Sequence, residues 1–259
     1  MADEVVISME LIEFANSRDV RLVSKFGATA SSIDVEQLHM MYLALRDTAP
    51  HRHARDKKYF VGHSGVPSAV GPSNRLEEHL AIALCADHAA IALGDSDELQ
   101  LLDYQVPLKA RQSDAGIGKV DIVALTASGR VAVVELKVTT NTSKRDTPLR
   151  ALLEALAYCA IVEANAQDFV SEIKDRYGLH AAAGRPDLVV MGPDTYWSTW
   201  TSTALAAVHE LADRLSHTLE MRIRFLSLGA FAAVVGTDGR RPQSDGELRA
   251  SVIHVSERR

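Results

Sequence analysis

The charged residues best placed to do chemistry lie inside one apolar stretch, GKVDIVALTASGRVAVVELKV, residues 118–138. Asp121 sits in its first half, and Glu135 and Lys137 sit in its second. Both halves read as strands, and a buried strand does not carry three charges without compensation. Side chains alternate along a strand, so Glu135 and Lys137 share a face while Val134 and Leu136 point the other way. A three-residue loop, Ala127-Ser128-Gly129, with its glycine in the left-handed position is a common hairpin connection. That loop pairs Thr126 with Arg130 and, counting back, Asp121 with Glu135. The two carboxylates then oppose each other with Cβ atoms roughly 5 Å apart, and Lys137 is a diagonal neighbour. Directly opposed like charges destabilise a sheet, and Lys137 neutralises only one of them. A divalent cation is the simplest remaining compensation, and hard oxygen ligands suit Mg2+. The plainer account is an edge hairpin with a wet face and a surface ion pair. Val123, Val131 and Val133 on the same face argue for burial instead.

The elements around this hairpin define an α/β chain. NRLEEHLAIALCADHAAIAL (74–93) predicts a helix ending near Gly94, with Ser73 or Asn74 as its N-cap. LQLLDYQVPLKA and the two charged strands follow, giving three strands in succession. TPLRALLEALAYCAIVEA predicts the next helix, capped by Thr147 with Pro148 in its first turn. After a polar segment come a strand DLVVMG (187–192), a helix around 200–218, and strands MRIRFLSLG (221–229) and FAAVVG (231–236). The tail is turn-rich, with a short apolar SVIHV near its end. Residues 1–70 are less legible, with one amphipathic helix at 34–47 and a polar, Pro/Gly-punctuated connection at 49–73. The expected organisation is an extension over 1–70 and a mixed-sheet domain over 71–259, in the order α-β-β-β-α-β followed by α-β.

Composition sets the outer bounds. The chain has 259 residues, is 47% hydrophobic and 24% charged, and has a formal charge of −6. This is ordinary globular composition, and the acidic balance argues against a generic polyanion binder without excluding a local basic groove. Cys85 and Cys159 both lie in apolar helical patterns, which suits small core residues in a reducing compartment. The start MADEVVISMELIEF is acidic where a signal peptide is basic, and no apolar run reaches membrane-spanning length, so a cytoplasmic protein without a membrane partner is expected.

Asp121, a hairpin, and Glu135-Leu136-Lys137, set within the α-β-β-β-α-β order, resemble the PD-(D/E)XK nuclease superfamily with its restriction-endonuclease-like core. Glu154 and Tyr158, in the following helix, resemble the Gln-x-x-x-Tyr signature of the RecB-type branch, with Glu in place of Gln. The acidic pair Glu77-Glu78 lies where the family often places a further carboxylate. The resemblance covers roughly residues 74–165. It implies metal-assisted hydrolysis of phosphodiester bonds, of DNA rather than RNA because most of the family acts on DNA. It implies Mg2+, with Mn2+ able to substitute, on Asp121, Glu135, the backbone oxygen of Leu136 and Glu77. Lys137 would orient the attacking water and offset growing negative charge. By helical spacing, Leu76, Leu80, Ala83 and Leu84 should pack on the sheet, which turns Glu77 toward the metal and Glu78 toward solvent.

Other candidates are weighed by their chemistry. Lys144 and Arg145 follow the Glu135 strand, and Arg52, Arg55, Lys57 and Lys58 lie in HRHARDKK; both groups suit phosphate contacts. His51 and His53 form a His-x-His in the same polar loop, which is ordinarily solvated surface. Glu154 also has Arg150 as an i,i+4 partner, so a plain helix-surface pair competes with a site role. Pro186-Asp187 with Glu220 and Arg222 mimics the motif, but an intervening helix prevents a tight hairpin, and arginine is a poor proton-transfer group. Competing functions are a catalytically silent nucleic-acid-binding subunit and an α/β interaction module without a site. Homodimerisation stays open at this stage.

Overall fold

A computed structural model describes residues 7–63, 76–87, 90–93, 97–138, 146–234, 243–245 and 250–256. Four helices come first: α1 (Glu10–Ala15), α2 (Arg18–Arg21), α3 (Phe26–Ser32) and α4 (Val35–Asp47). Then follow α5 (Leu76–Asp87) and strands β1 (Ala90–Ala92), β2 (Glu98–Pro107), β3 (Lys119–Thr126) and β4 (Arg130–Leu136). Helices α6 (Pro148–Ala164) and α7 (Ala166–Tyr177) lead to β5 (Ala182–Gly192). Next are α8 (Asp194–Trp197), α9 (Ser202–Leu219), β6 (Ile223–Ser227), β7 (Ala232–Val234), β8 (Gln243–Asp245) and β9 (Ser251–Ser256). Seven strands form one mixed sheet in the order β1-β2-β3-β4-β5-β6-β9, and β7 pairs with β8 apart from it. The first four strands are antiparallel, β4-β5-β6 are parallel, and β9 returns antiparallel to β6.

The hairpin register agrees with the loop argument. Ile122 pairs with Val134, and Leu125 pairs with Val131. Gly129 has φ +78° and donates its N–H to Thr126 O at 2.8 Å, closing the Ala127-Ser128-Gly129 loop. Asp121 and Glu135 are the next residues beyond the last of these pairs, Ile122–Val134. Strand β4 has neighbours on both sides and apolar layers on both faces, which accounts for its continuous valine-rich run. Val131 and Val133 join the core under α6, while Ala132 and Val134 join the core under α5.

Helix α6 is fixed at its start by two devices. Thr147 Oγ1 accepts from Arg150 N at 3.1 Å, and Pro148 occupies the first turn, where its missing N–H costs nothing. The same hydroxyl donates to Val20 O at 2.7 Å, which ties α2 to the start of α6. Leu11, Val20, Phe26, Leu38 and Tyr42 lie in one apolar core with Leu149, Leu156 and Ile161. Buried residues between Leu11 and Phe60 therefore share the α6-side core.

Three elements differ from the expectation. The helix expected to run to Gly94 stops at Asp87, and Ala90–Ala92 pairs with β2, because alternation around Ile91 suits a strand edge. The polar segment after α6 contains α7, whose buried Phe169, Glu172 and Ile173 repeat at helical spacing and whose end is capped by left-handed Gly178. Its other residues are polar enough to obscure that period. The apolar 231–236 run contributes β7, which leaves the main sheet for β8. Leu76, expected on the packed face of α5, is 39% exposed, whereas Leu80 to Leu84 are buried on all sides of the helix. The expected caps Ser73 and Asn74 lie outside the described residues. Among the described residues no helix is long and apolar enough to cross a membrane.

Candidate functional site

The charged cluster forms where β4 ends, on the α6 side of the sheet. Lys137, at 2% exposure, places Nζ 2.6 Å from Glu135 Oε1. Three more carboxylates stand near the ammonium: Asp146 Oδ2 at 3.7 Å, Glu77 Oε1 at 3.8 Å and Glu154 Oε2 at 3.8 Å. Glu77 comes from α5 on the opposite layer, Asp146 from the residue before the α6 cap, and Glu154 from the second turn of α6. Arg150 bridges from behind, with Nη1 on Asp146 Oδ2 and 3.2 Å from Glu154 Oε2. It also reaches Asn16 Oδ1 at 3.3 Å, so the end of α1 borders the cluster. Tyr158 donates to Glu154 Oε1 at 3.2 Å. A Cβ on Gly118 would lie 2.3 Å from that tyrosine's oxygen, so only glycine lets the ring seat against the start of β3.

Asp121 is held on its own. Oδ1 accepts from Gln105 Nε2 and Oδ2 accepts from Leu136 N, both at 2.9 Å. Burial pushes the Asp121 carboxyl up to about 7; Lys137 and the Leu136 N–H pull it down, while Glu77 and Glu154 push it further up. Burial also lifts Glu135 well above the ordinary carboxylate range, against Lys137 and with Asp121 and Glu154. Glu77 is raised too, by burial first and by Asp146 and Glu154, with Lys137 opposing. Burial works against the Lys137 ammonium, but Glu135, Glu77, Glu154 and Asp121 outweigh it and hold its proton well beyond the ordinary lysine range. The surrounding carboxylates thus favour the protonated form of Lys137 in this arrangement. Five carboxylates face two cations, and Glu135 Oε2 is buried without a hydrogen-bond donor.

The structure brings Asp121, Glu135, Lys137, Glu77, Glu154 and Tyr158 together. Leu136 lies between them, its side chain in the α5-side core and its N–H on Asp121. Glu78 is partly buried on the same turn as Glu77, rather than directed wholly to solvent. Among the described residues no three His, Cys, Asp or Glu side chains converge closely enough to hold a metal ion. The Lys137 ammonium, seated on Glu135, stands where such convergence would be sought.

The other candidates lie elsewhere or act structurally. Lys144 and Arg145 lie outside the described residues. Arg52 is 7% exposed, and its guanidinium binds Lys58 O and Lys109 O, so its donors serve the fold. Lys57 Nζ donates to Ala110 O at 2.7 Å, while Arg55 and Lys58 are exposed. His53 lies 2.6 Å from Glu172 Oε1 and 3.2 Å from Asp168 Oδ1; Glu172 also accepts from Tyr59 N and Phe60 N, fastening this loop to α7. His51 is exposed. Asp187 is 1% exposed and pairs with Arg130 at 2.9 Å and Arg224 at 3.8 Å. It sits opposite Ala132, three positions from Glu135 along β4, as a separate buried ion pair. Glu220 is the left-handed C-cap of α9.

Sequence reasoning missed Asp146 and Gln105. Asp146 had a readable signal, being four residues before Arg150 and beside a cap threonine. Gln105 had none without the β2/β3 register, in which Tyr104–Ile122 and Val106–Val120 pairs bracket it opposite Asp121. No protein-family model, no curated protein and no solved structure matches this chain.

Proposed function

We propose that this protein is a Mg2+-dependent nuclease that hydrolyses phosphodiester bonds, of DNA in the first instance, on a PD-(D/E)XK-like core. The observation that carries the reading is the charge imbalance at the hairpin end. Carboxylates on β3, β4, α5 and α6 outnumber the two cations among them, and Glu135 keeps one buried oxygen without a donor. A fold does not ordinarily gather unbalanced buried charge for stability, and perturbed acids clustered this way mark functional sites. The donor set is all hard oxygen, which fits Mg2+ or Mn2+.

Asp121, Glu135 and the Leu136 carbonyl would hold the metal. When bound, Mg2+ polarises a phosphate, offsets charge developing on it and lowers the pKa of water. Lys137, kept protonated by its acidic neighbours, would hold a phosphate oxygen or a water by hydrogen bonds rather than remove a proton. Glu77 and Glu154, each within 3.8 Å of Lys137, would fix the ammonium's direction. Tyr158 orients Glu154.

A second reading rests on one observation. The 2.6 Å Lys137–Glu135 contact already pairs the lysine with one Glu135 oxygen, as a silent nucleic-acid-binding subunit or an interaction module would require. Incubation of purified protein with supercoiled, linear and single-stranded DNA in Mg2+, Mn2+ or EDTA separates the two. Cleavage with either metal, absent in EDTA and lost in Glu135→Ala, supports the nuclease. No metal-dependent cleavage of any of these substrates leaves the silent reading.

A further inference from the structure

Gln105 has φ +49° in the middle of β2, a left-handed conformation that non-glycine residues rarely adopt. A regular strand returns to the same face every second residue. Here Tyr104 and its partner Ile122 pack in the α5-side core, whereas Val106 and its partner Val120 pack in the α6-side core. The strand pair therefore rolls over at Gln105 and Asp121, and the left-handed residue stands at the pivot. Glycine would meet that backbone demand at no steric cost. What glutamine adds is its amide, which donates to Asp121 Oδ1 at 2.9 Å while Leu136 N donates to Oδ2. A carboxylate offers about four lone-pair sites, so two donors fix its plane and leave acceptor capacity for a cation.

We propose that Gln105 is the positioning residue of the site: it fixes the plane of the Asp121 carboxylate, one of the groups that would hold the metal. The inference rests on the nuclease reading for its purpose, but its geometry stands in metal-free protein. The variants are Gln105→Gly, which removes the amide and relaxes the backbone, and Gln105→Ala, which removes the amide alone. In EDTA, hydrogen exchange of the Leu136 amide, followed by NMR, should quicken roughly tenfold in both, because its acceptor loses its second anchor. Amides in the Ile122–Leu125 and Val131–Val134 ladder should keep their protection. By calorimetric titration of the full chain, the Mg2+ dissociation constant should rise roughly tenfold in both variants. Gln105→Gly should melt at or above Gln105→Ala.

Parental exchange at Leu136 in both variants overturns the proposal. So does uniform loss of protection along the hairpin, which would make Gln105 a support of the strand, and so does unchanged Mg2+ affinity in variants of a parent that binds it. A parent that neither binds Mg2+ nor cuts DNA, with Leu136 still quickened by the substitutions, removes the nuclease reading while Gln105 still holds Asp121.

Discussion

Replacing Asp121 by asparagine should stabilise the metal-free protein while stopping cleavage. The Asp121 carboxyl is pushed from an ordinary 3.8 up to about 7, chiefly by burial, with Lys137 and the Leu136 N–H opposing and Glu77 and Glu154 reinforcing. A tenfold change in proton affinity is worth about 1.4 kcal/mol. Carrying the charge above pH 7 thus costs the folded state at most about 4 kcal/mol, and water reaching this half-buried carboxylate reduces that to about 2 kcal/mol. The folded carboxyl binds its proton more tightly than the unfolded one, so the parent loses stability as pH rises from about 4 to about 7. The variant has no such loss. Its amide retains the volume, accepts from Leu136 N, and can meet Gln105 once that side-chain amide turns over. In EDTA at pH 8, Asp121→Asn should melt about 4–8 °C above the parent for a domain of this size. At pH 4.5 the difference should shrink to near zero. Thermal melts followed by circular dichroism at the two pH values, with plasmid cleavage in Mg2+, test this. A variant that melts lower at pH 8, or a gap that does not narrow in acid, would refute the charge argument. Undiminished cleavage by the variant would remove Asp121 from the site.

Lys137→Met should destabilise the metal-free protein by about 3–5 kcal/mol at pH 8, since it leaves Glu135 buried without its cation, and by less at pH 5 as the raised carboxyls take up protons; urea unfolding at both pH values measures it. Gly118→Ala should cost about 1–3 kcal/mol by driving a methyl against the Tyr158 oxygen, and the Gly118→Ala/Tyr158→Phe double variant should recover part of it, a coupling read from a double-mutant cycle. Glu77→Ala should slow cleavage more than Glu78→Ala, because Glu77 is the one that reaches Lys137; equal initial rates would deny Glu77 that part.

Much of the site was legible because its key pair is fixed by short-range rules. A three-residue glycine loop sets the register, and that register brings Asp121 and Glu135 to the same end of the hairpin, just beyond the Ile122–Val134 pair. Thr147 and Pro148 mark the start of α6 in the sequence, and Glu154 and Tyr158 follow six and ten residues after the proline, one turn apart on the helix. What could not be read was tertiary. Helix α7 holds its apolar contacts in Phe169 and Ile173 among polar neighbours, too few for a period to stand out. The short N-terminal helices offer runs of four to seven residues, below the length at which periodicity speaks, and their fit depends on the distant α6. Arg52 looked like a phosphate contact because guanidinium chemistry suits one equally well. Two backbone carbonyls far apart in sequence claimed it instead.

The location of the cluster follows from the sheet itself. Val131 to Val134 on β4 are apolar and at most 5% exposed, and the carboxylates of the cluster gather at the end of the strand, from Glu135 on. Two glycines open that end. Gly118 admits the Tyr158 hydroxyl, and Gly192, at the end of parallel β5, lies so close to Lys137 O that a Cβ there would come within 2.8 Å of it. Larger residues at either position would push α6 or the Lys137 backbone away and spread the carboxylates into solvent. They would then regain hydration and cease to perturb one another. The glycines, the Gln105 pivot and the Arg150 bridge act together to keep like charges close. Holding those charges close works against metal-free stability, and the arrangement becomes intelligible if a cation shares the space with Lys137 during the protein's working cycle.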